Sequence, residues 1–436
     1  MSKKTIVQII RREMTRRGGL DFTFQFGNTT PGCEPYWYQG YYSPYYKKTH
    51  ADFRKTVRHF VETEIKPYVD DWIEEGGYPR ALHKKAYAAG INGALFPKEN
   101  GGTPPPDFDA FHELILWDEL SRAGGGGALG QLSINSMALP PIIDYGTQYV
   151  KDLVIEGVVT GELNISLAIS EPSAGSDVAN IQATAELKGD YFYINGSKKW
   201  ITGGHMADYF TMLVRTGGAG MAGTSIILVP ANTQGLRIRK MKTQFDTCHG
   251  TTFINMDDVK VHKRMLIGQQ GKGFEYIVRN FNHERFVIAA AVVRYARMCY
   301  EASFLEAQTR KTFGKRLNQH QVIRFKLAEM LRLVESLHDN LERVAFQFSN
   351  GISDTHMGAQ CALLKVNATK VFEYCAREAS QIFGGSSLIK EGRGMIVERL
   401  YREVRAQAIP GGSEEILLDF AVRQAIGRQG SASSKL

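Results

Sequence analysis

The stretch LAISEPSAGSD at residues 167–177 decides the fold, together with the triplet WIT at residues 200–202. The first begins as an apolar, strand-like segment and continues into a polar loop that a glycine interrupts. Its hydroxyls and backbone amides are compact hydrogen-bond donors, which suit a phosphate group. The second ends a strand-like segment with a broad indole ring and a hydroxyl. Either piece alone is typical of an ordinary turn, but the two together indicate a planar ligand with a diphosphate tail.

Outward from this stretch, the period of the apolar residues changes twice. Residues 48–163 have a helical period, residues 164–273 have the period of two that is typical of strands, and residues 274–430 return to a helical period. This order predicts an α+β protein with an N-terminal α-helical domain, a middle β-barrel-like domain and a C-terminal four-helix bundle. Residues 1–47 form a separate N-terminal extension, and residues 431–436 form a tail.

Composition excludes several classes of protein. The net charge of +8 comes from 53 basic and 45 acidic residues, which are spread along the chain rather than clustered as on a dedicated nucleic-acid surface. No apolar run is long enough to span a membrane. Five cysteines without a CxxC pair predict neither a disulfide framework nor a metal site. Two G-x-G-x-x-G matches, at residues 125–130 and 218–223, lack the strand-to-helix context of a dinucleotide site.

Three further motifs follow in order, RKTFGK at residues 310–315, HQ at residues 320–321 and QIFGG at residues 381–385. Together with the opening pair, they resemble the acyl-CoA dehydrogenase family, and the resemblance extends over about residues 48–430. It implies an FAD-dependent enzyme whose FAD lies partly across a subunit interface. It also implies that FAD is bound by Leu167, Ile169, Ser170, Gly175, Ser176, Trp200, Ile201, Thr202, Arg310, Thr312, Phe313, His320, Gln321, Gln381, Gly384, Gly385, Ser413 and Glu415.

The reaction that the resemblance implies is α,β-dehydrogenation of an acyl-CoA thioester, in which a carboxylate removes the α-proton. Many members carry that carboxylate in a Tyr-Glu-Gly-Thr run near the C-terminus, but here Gly411 stands in its place. Glu284 matches the position of the base in isovaleryl-CoA and long-chain acyl-CoA dehydrogenases, and it is therefore the predicted catalytic base. The substrate contacts that the resemblance implies are Ser176, Asn282, Arg285 and Gly411, the last through its backbone N–H.

Two other functions remain open at this stage. A flavin-dependent oxidase of the same fold, either an acyl-CoA oxidase or a protein like nitroalkane oxidase, would share most of these motifs. A non-catalytic flavin- or nucleic-acid-binding relative would need Glu284 to face solvent, and the aromatic residues of the extension would be its working surface. We expect those aromatic residues to pack on a neighbouring subunit or domain instead, since no arginines are interleaved with them.

Both termini carry possible targeting signals. The chain ends in Ser434-Lys435-Leu436, the tripeptide that directs import into peroxisomes. The basic N-terminus makes a mitochondrial location the runner-up. The expected partners are therefore an acyl-CoA substrate and the peroxisomal import receptor, with the chain itself a homotetramer, or a homodimer, by resemblance. The length and branching of the acyl group and the identity of the electron acceptor are not determined by these motifs.

Overall fold

The computed structural model describes residues 25–124, 134–245 and 248–433. The N-terminal helical domain has helix α4 (Ala110–Ser121) at its centre. Asp109 caps α4 by accepting bonds from the backbone N–H groups of Phe111 and His112. Nearly every side chain of this helix is buried, including charged ones such as Asp118 and Glu119, which form ion pairs with arginines of other helices. The helices of this domain are α1 (Lys48–Phe60, continued by a π turn at Val61–Ile65), α2 (Val69–Glu75), α3 (Ala81–Ala88), α4 (Ala110–Ser121), α5 (Pro140–Tyr145) and α6 (Gln148–Thr160).

The middle domain is an eight-stranded sheet. Its strands are β1 (Ile165–Ala168), β2 (Thr184–Lys188), β3 (Tyr191–Thr202), β4 (Tyr209–Arg215), β5 (Thr224–Pro230), β6 (Leu236–Met241), β7 (Thr251–His262) and β8 (Leu266–Ile267). The order is β6-β7-β3-β2-β4-β5-β8, with β1 paired in parallel to β4. The alternating burial of β3 and β7 follows from one face packing on a core of aliphatic residues. The antiparallel β3–β7 pair has a register shift between Lys199 and Ile201.

The C-terminal domain is built on α7 (Gly273–Thr309), which packs against α4, α8 (Gln321–Ser349), α9 (Asp354–Phe383) and α10 (Met395–Ala408). A short hairpin, β9 (Lys311–Thr312) with β10 (Lys315–Arg316), separates α7 from α8. The domain also contains α11 (Glu414–Ser433), which packs on α9 and is one helix more than the four predicted. Short 3₁₀ turns lie at Tyr36–Gln39, Lys98–Asn100, Val178–Asn180, Met221–Gly223, Lys263–Met265, Leu317–Gln319, Gly384–Leu388 and Gly392–Gly394.

The described part of the N-terminal extension packs on the chain itself. Trp37 and Tyr38 are buried, and the Trp37 ring stacks on Tyr46 with 3.9 Å between ring centroids. The Arg54 guanidinium of α1 lies 4.2–4.3 Å from the ring centroids of Phe26, Trp37 and Tyr38. The aromatic residues nearest the helical domain therefore act as core rather than as a stacking surface for bases.

The α+β order of helical, β and helical domains is confirmed. The glycine motif at 218–223 joins the antiparallel strands β4 and β5 and is a hairpin loop, as expected, while the motif at 125–130 lies outside the described residues. Within the parts of the chain that the structure describes, no helix is long and apolar enough to cross a bilayer.

Candidate functional site

A buried ion pair stabilises the loop that follows β1, at residues 169–177. Lys198 Nζ lies 2.8 Å from Glu171 Oε1 and donates to the Ile169 carbonyl at 2.9 Å. The Glu171 carboxylate also accepts the backbone N–H groups of Gln182 and Ala183. Burial lowers the pKa of Lys198 to about 8, against the opposing effect of Glu171. This ion pair, which the sequence reasoning missed, fixes the backbone of residues 169–171.

The residues of this loop that are predicted to bind FAD become more exposed along the chain. Ile169 is buried, Leu167 and Ser170 are half-buried, and Gly175 and Ser176 are exposed. A Cβ on Gly175 would meet no atom within 4 Å. The loop is therefore a rigid base with an open, polar upper surface.

The WIT triplet lies directly beside this loop. The Lys199 N–H donates to the Ser170 carbonyl at 2.9 Å, and Ser166 Oγ donates to the Thr202 carbonyl at 3.0 Å. Trp200 has a φ of +69° at the β-bulge and its side chain is 54% exposed. A large aromatic residue rarely adopts this conformation, and such strain clusters at functional sites. Ile201 points into the core, so the bulge turns the indole ring outward.

A second group of predicted residues meets at the end of α9. Arg310 Nη1 donates to the carbonyls of Ile382 (3.2 Å) and Phe383 (2.8 Å), which brings the RKTFGK and QIFGG motifs together. Gly384 has a φ of +59°, and a Cβ there would lie 3.6 Å from Arg310 Nη1. Gln381 and Gly384 line an open cavity of about 310 Å³ with Arg377, Ser380, Ser387, Leu388 and Tyr401.

The hairpin between α7 and α8 extends this second group. Phe313 has a φ of +50° and is 96% exposed, while Thr312 Oγ1 lies 3.3 Å from His320 Nε2. Gln321 begins α8 and is exposed, and a Cβ on Gly385 would meet no atom within 4 Å. Among the described residues, no hydrogen bond or ion pair joins this second group to the loop and triplet of the middle domain.

Glu284 lies on α7 and is only 7% exposed. Burial raises the pKa of its carboxyl to about 7, although Arg285, a hydrogen bond from Asn280 and His283 oppose the shift. Asn280 Nδ2 donates to Glu284 Oε1 at 2.9 Å. A carboxyl whose pKa lies near neutrality is suited to general-base chemistry at physiological pH.

The other predicted substrate residues meet around Arg285. Its Nη1 donates to Asn282 Oδ1 at 2.7 Å, and its Nε donates to the Gly411 carbonyl at 3.1 Å. Gly411 thus presents its carbonyl to Arg285, and its φ of +69° is the left-handed conformation that favours glycine. Ser176, the fourth predicted substrate residue, lies on the middle-domain loop, and among the described residues no hydrogen bond joins it to this cluster.

Lys365 is a residue that the sequence reasoning missed. It is buried in α9, and its Nζ donates to the carbonyls of Ala408 (2.5 Å) and Gly412 (2.9 Å). Burial lowers its pKa to about 8. Lys365 and Arg285 therefore hold the 409–412 loop from two sides. A single lysine inside the apolar run Ala-Leu-Leu-Lys-Val was the available signal.

The two remaining predicted residues lie at the start of α11, with Ser413 just before the helix and Glu415 in its first turn. Ser413 is half-buried and Glu415 is exposed. Hydrogen bonds from its own backbone N–H and from Ser413 lower the pKa of Glu415, so it is an ordinary ionised carboxylate. Its surroundings lack the burial that sets Glu284 apart.

Outside these groups, His50, Asp109 and His112 bring atoms that could bind a metal ion within 4.8 Å of one another. Asp109 Oδ1 lies 2.9 Å from His50 Nε2 and 3.0 Å from His112 Nδ1. The Lys47 N–H donates to His50 Nδ1, and Thr49 Oγ1 lies 3.1 Å from His112 Nε2. Because every ring nitrogen has a hydrogen-bond partner, this cluster acts as a cap that ties α1 to α4.

Comparison with known proteins gives independent evidence for the family to which the chain belongs. Family models match in order, for the acyl-CoA dehydrogenase N-terminal domain at residues 47–162, middle domain at 166–259 and C-terminal domain at 271–426. An acyl-CoA dehydrogenase of Alternaria alternata, AFT10-1, is 38% identical over 92% of this chain and 97% of its own. The acyl-CoA dehydrogenase apdG of Emericella nidulans is 35% identical over 92% and 96%. The crystal structure of a Mycobacterium smegmatis protein described as a putative acyl-CoA dehydrogenase superposes with a TM-score of 0.83 at 33% identity, over 88% of this chain and 99% of that one.

Proposed function

Because this chain belongs to the acyl-CoA dehydrogenase family, an FAD-dependent family of oxidoreductases, we propose that it removes hydrogen from Cα and Cβ of an acyl-CoA thioester. The product is the trans-2-enoyl-CoA, and Glu284 takes the α-proton. The observation that carries the assignment is the burial of Glu284, which raises its pKa to about 7. We place the base in the arrangement of the isovaleryl-CoA and long-chain enzymes, because position 411 holds a glycine.

Bound FAD supplies the acceptor for the hydride that leaves Cβ. The chain's own part is to place a basic carboxylate at Cα and to keep water away from it. Burial of Glu284 keeps water away, and a dry site raises the proton affinity of the ionised carboxylate. The thioester oxygen gains negative charge as the α-proton leaves, so it needs hydrogen-bond donors at that moment. Arg285 and Lys365 hold the 409–412 loop that would border this oxygen.

The residues present fit FAD. Trp200 offers an outward-facing aromatic surface beside a polar loop, and the exposed amides and hydroxyls of Gly175 and Ser176 suit the diphosphate. Arg310 and the Gln381–Gly384 cavity suit a second anionic and polar part of the same cofactor. Within one chain, no hydrogen bond or ion pair among the described residues joins the two groups, and we propose that a second copy of the chain brings them together in one FAD site shared between subunits.

A shared site requires an oligomer, and we propose a homotetramer, with a homodimer as the runner-up. Large apolar side chains are exposed at Phe313, Val322, Phe325, Leu388, Ile389, Val422 and Ile426. We expect other copies of the chain to cover part of this apolar surface. Light scattering of the purified holoprotein should give a mass of four chains. A monomeric mass with FAD bound would contradict the shared site.

The decisive experiment is anaerobic reduction of the purified flavoprotein by a panel of acyl-CoAs. Bleaching of the flavin absorbance and formation of enoyl-CoA would establish the reaction and its chain preference together. Glu284→Gln keeps the shape of the side chain and should slow flavin reduction by about 10²–10⁴-fold, whereas Glu415→Gln, assayed with saturating FAD, should slow it far less. The reverse outcome would make Glu415 the base. Stoichiometric peroxide in aerobic turnover would favour the oxidase alternative.

For location, we propose the peroxisome, on the strength of Ser434-Lys435-Leu436. A fluorescent fusion with a free C-terminus should form puncta that coincide with a peroxisomal marker, through the import receptor. Removal of the tripeptide should disperse them. A mitochondrial pattern for the intact fusion would support the runner-up.

A further inference from the structure

Asn280 lies one helical turn before Glu284 on α7, and its side chain makes two hydrogen bonds from one nitrogen. Nδ2 donates to Glu284 Oε1 at 2.9 Å and to the backbone carbonyl of Met137, also at 2.9 Å. A side-chain amide nitrogen carries two hydrogens, so both are used. The amide thus connects the carboxylate to the segment that leads into α5 of the N-terminal domain.

This connection distinguishes the two oxygens of Glu284. Oε1 is held by Asn280, whereas Oε2 receives no hydrogen bond from any of the residues that the structure describes. The anchor at Met137 is a backbone group on a different domain, so the orientation of the carboxylate does not depend on α7 alone. A fixed carboxylate with one uncommitted oxygen is the geometry that proton abstraction from carbon needs.

We propose that Asn280 is the positioning residue of the base: it ties one oxygen of Glu284 to the Met137 carbonyl and directs the other toward the α-carbon of the substrate. This inference rests on the proposed function, in which Glu284 is the base. Asn280 acts through Glu284 and takes no proton itself.

The groups around Glu284 determine whether its pKa rises or falls when Asn280 is replaced. On its own helix it is faced by Arg285 and by His283, and His283 Nε2 lies 2.8 Å from Glu113 Oε1 of α4. Lys365 of α9 lies on the far side of the loop that Arg285 holds. A hydrogen bond donated to the ionised carboxylate favours that form, so removal of Asn280 should raise the pKa of Glu284 further above its ordinary value.

The test compares Asn280→Leu and Asn280→Asp with wild type, and Arg279→Gln serves as the matched control because Arg279 is exposed on the same helix. The rate of anaerobic flavin reduction should rise with pH through about 7 in wild type and in the control. In Asn280→Leu the midpoint should move up by about one pH unit, which lowers the rate at pH 7 about fivefold. The limiting rate at high pH should also fall, by about tenfold, because the carboxylate is no longer oriented. Acyl-CoA affinity should not change.

Asn280→Asp has nearly the same volume, so it tests the idea even if the leucine variant folds poorly. It sets a second carboxyl against Glu284, and the pair should share a proton and raise the midpoint more than leucine does. Infrared difference titration can measure the pKa of Glu284 without any substrate, with the carboxyl band assigned by its absence in Glu284→Gln. The pKa should be lowest in wild type, higher in Asn280→Leu and highest in Asn280→Asp.

The experiment distinguishes an error in the assignment of the base from an error in the role proposed for Asn280. If Glu284→Gln keeps the wild-type pH profile, the base assignment itself is wrong. If Glu284→Gln removes the rise with pH but both Asn280 variants keep the wild-type midpoint, the base stands and the proposal for Asn280 is overturned.

Discussion

Arg285 donates through Nε to the carbonyl of Gly411, 3.1 Å away and 126 residues later in the chain. At position 411, where the family resemblance led us to look for a catalytic glutamate, there is instead a glycine whose backbone carbonyl accepts a bond from an arginine. The guanidinium comes from the residue next to Glu284, so the helix that carries the proposed base also fixes the loop that lacks one. The absence of a carboxylate at 411 and its presence at 284 are parts of one arrangement.

Gly411→Ala should destabilise the protein and slow flavin reduction. Gly411 has a φ of +69°, and a Cβ there would lie 2.7 Å from Ile288 Cδ1. Strain and the collision together should cost about 1–3 kcal/mol, measured by chemical unfolding of the holoprotein. Gly189→Ala is the control for strain alone, since Gly189 has a φ of +62° and open space around it. Ile288→Val removes the colliding atom and should recover part of the loss; no recovery would contradict the collision.

The pH dependence of turnover should follow Glu284. Burial raises its pKa from 4.5 to about 7, and only the ionised form accepts a proton. The value of kcat/KM should therefore rise with pH through about 7, and at pH 6 it should be about tenfold below its plateau. Stopped-flow flavin reduction across pH 5.5–9 measures this. A profile that is flat down to pH 5.5 would mean that the base is an exposed carboxylate such as Glu415.

The sequence predicted the domain order well because it depends on local period. The change from a period of 3.6 to a period of 2 and back locates the middle sheet without any knowledge of tertiary contacts. The exception is α11, where Leu417 is buried while Leu418, Val422 and Ile426 are exposed. Its apolar residues lie on more than one face, so no single stripe marked it as a separate helix.

Only the residues of the candidate site that lie in recognisable sequence motifs could be predicted. Arg310 and residues 381–385 were assigned by resemblance, but their contact joins segments 72 residues apart and depends on how α9 ends. The contacts of Asn280 and Lys365 could not be predicted, because each depends on the direction of one side chain toward a distant backbone carbonyl. Polar residues inside helical patterns are usually solvated, and only packing shows which of them are not.

Arg310→Lys should lower the affinity for FAD. The lysine keeps the charge but cannot donate to the Ile382 and Phe383 carbonyls while also facing the cofactor. We expect a loss on the order of tenfold in FAD affinity, for about one lost hydrogen bond. The ratio of flavin to protein absorbance after dialysis measures it. Arg332→Lys is the control, because Arg332 pairs with Glu329 on the surface; equal flavin content in both variants would remove Arg310 from the site.

Glu34→Gln should destabilise the fold more than the loss of a surface ion pair. Glu34 Oε1 accepts from Arg58 (3.0 Å) and Arg122 (3.2 Å), and Oε2 lies 3.0 Å from Arg294. Burial pushes its pKa upward, but the three arginines outweigh this and hold it at about 2. Its stabilisation should be present above pH 4.5 and be lost as the pH falls toward 2. Glutamine removes the negative charge that these three arginines share. Arg58 keeps its pair with Glu119 and Arg294 keeps its pair with Asp118, so the cost should be about 3 kcal/mol near pH 7. Glu329→Gln on the surface should cost less than about 1 kcal/mol, and equal costs in urea unfolding would show that the extension is not anchored at Glu34.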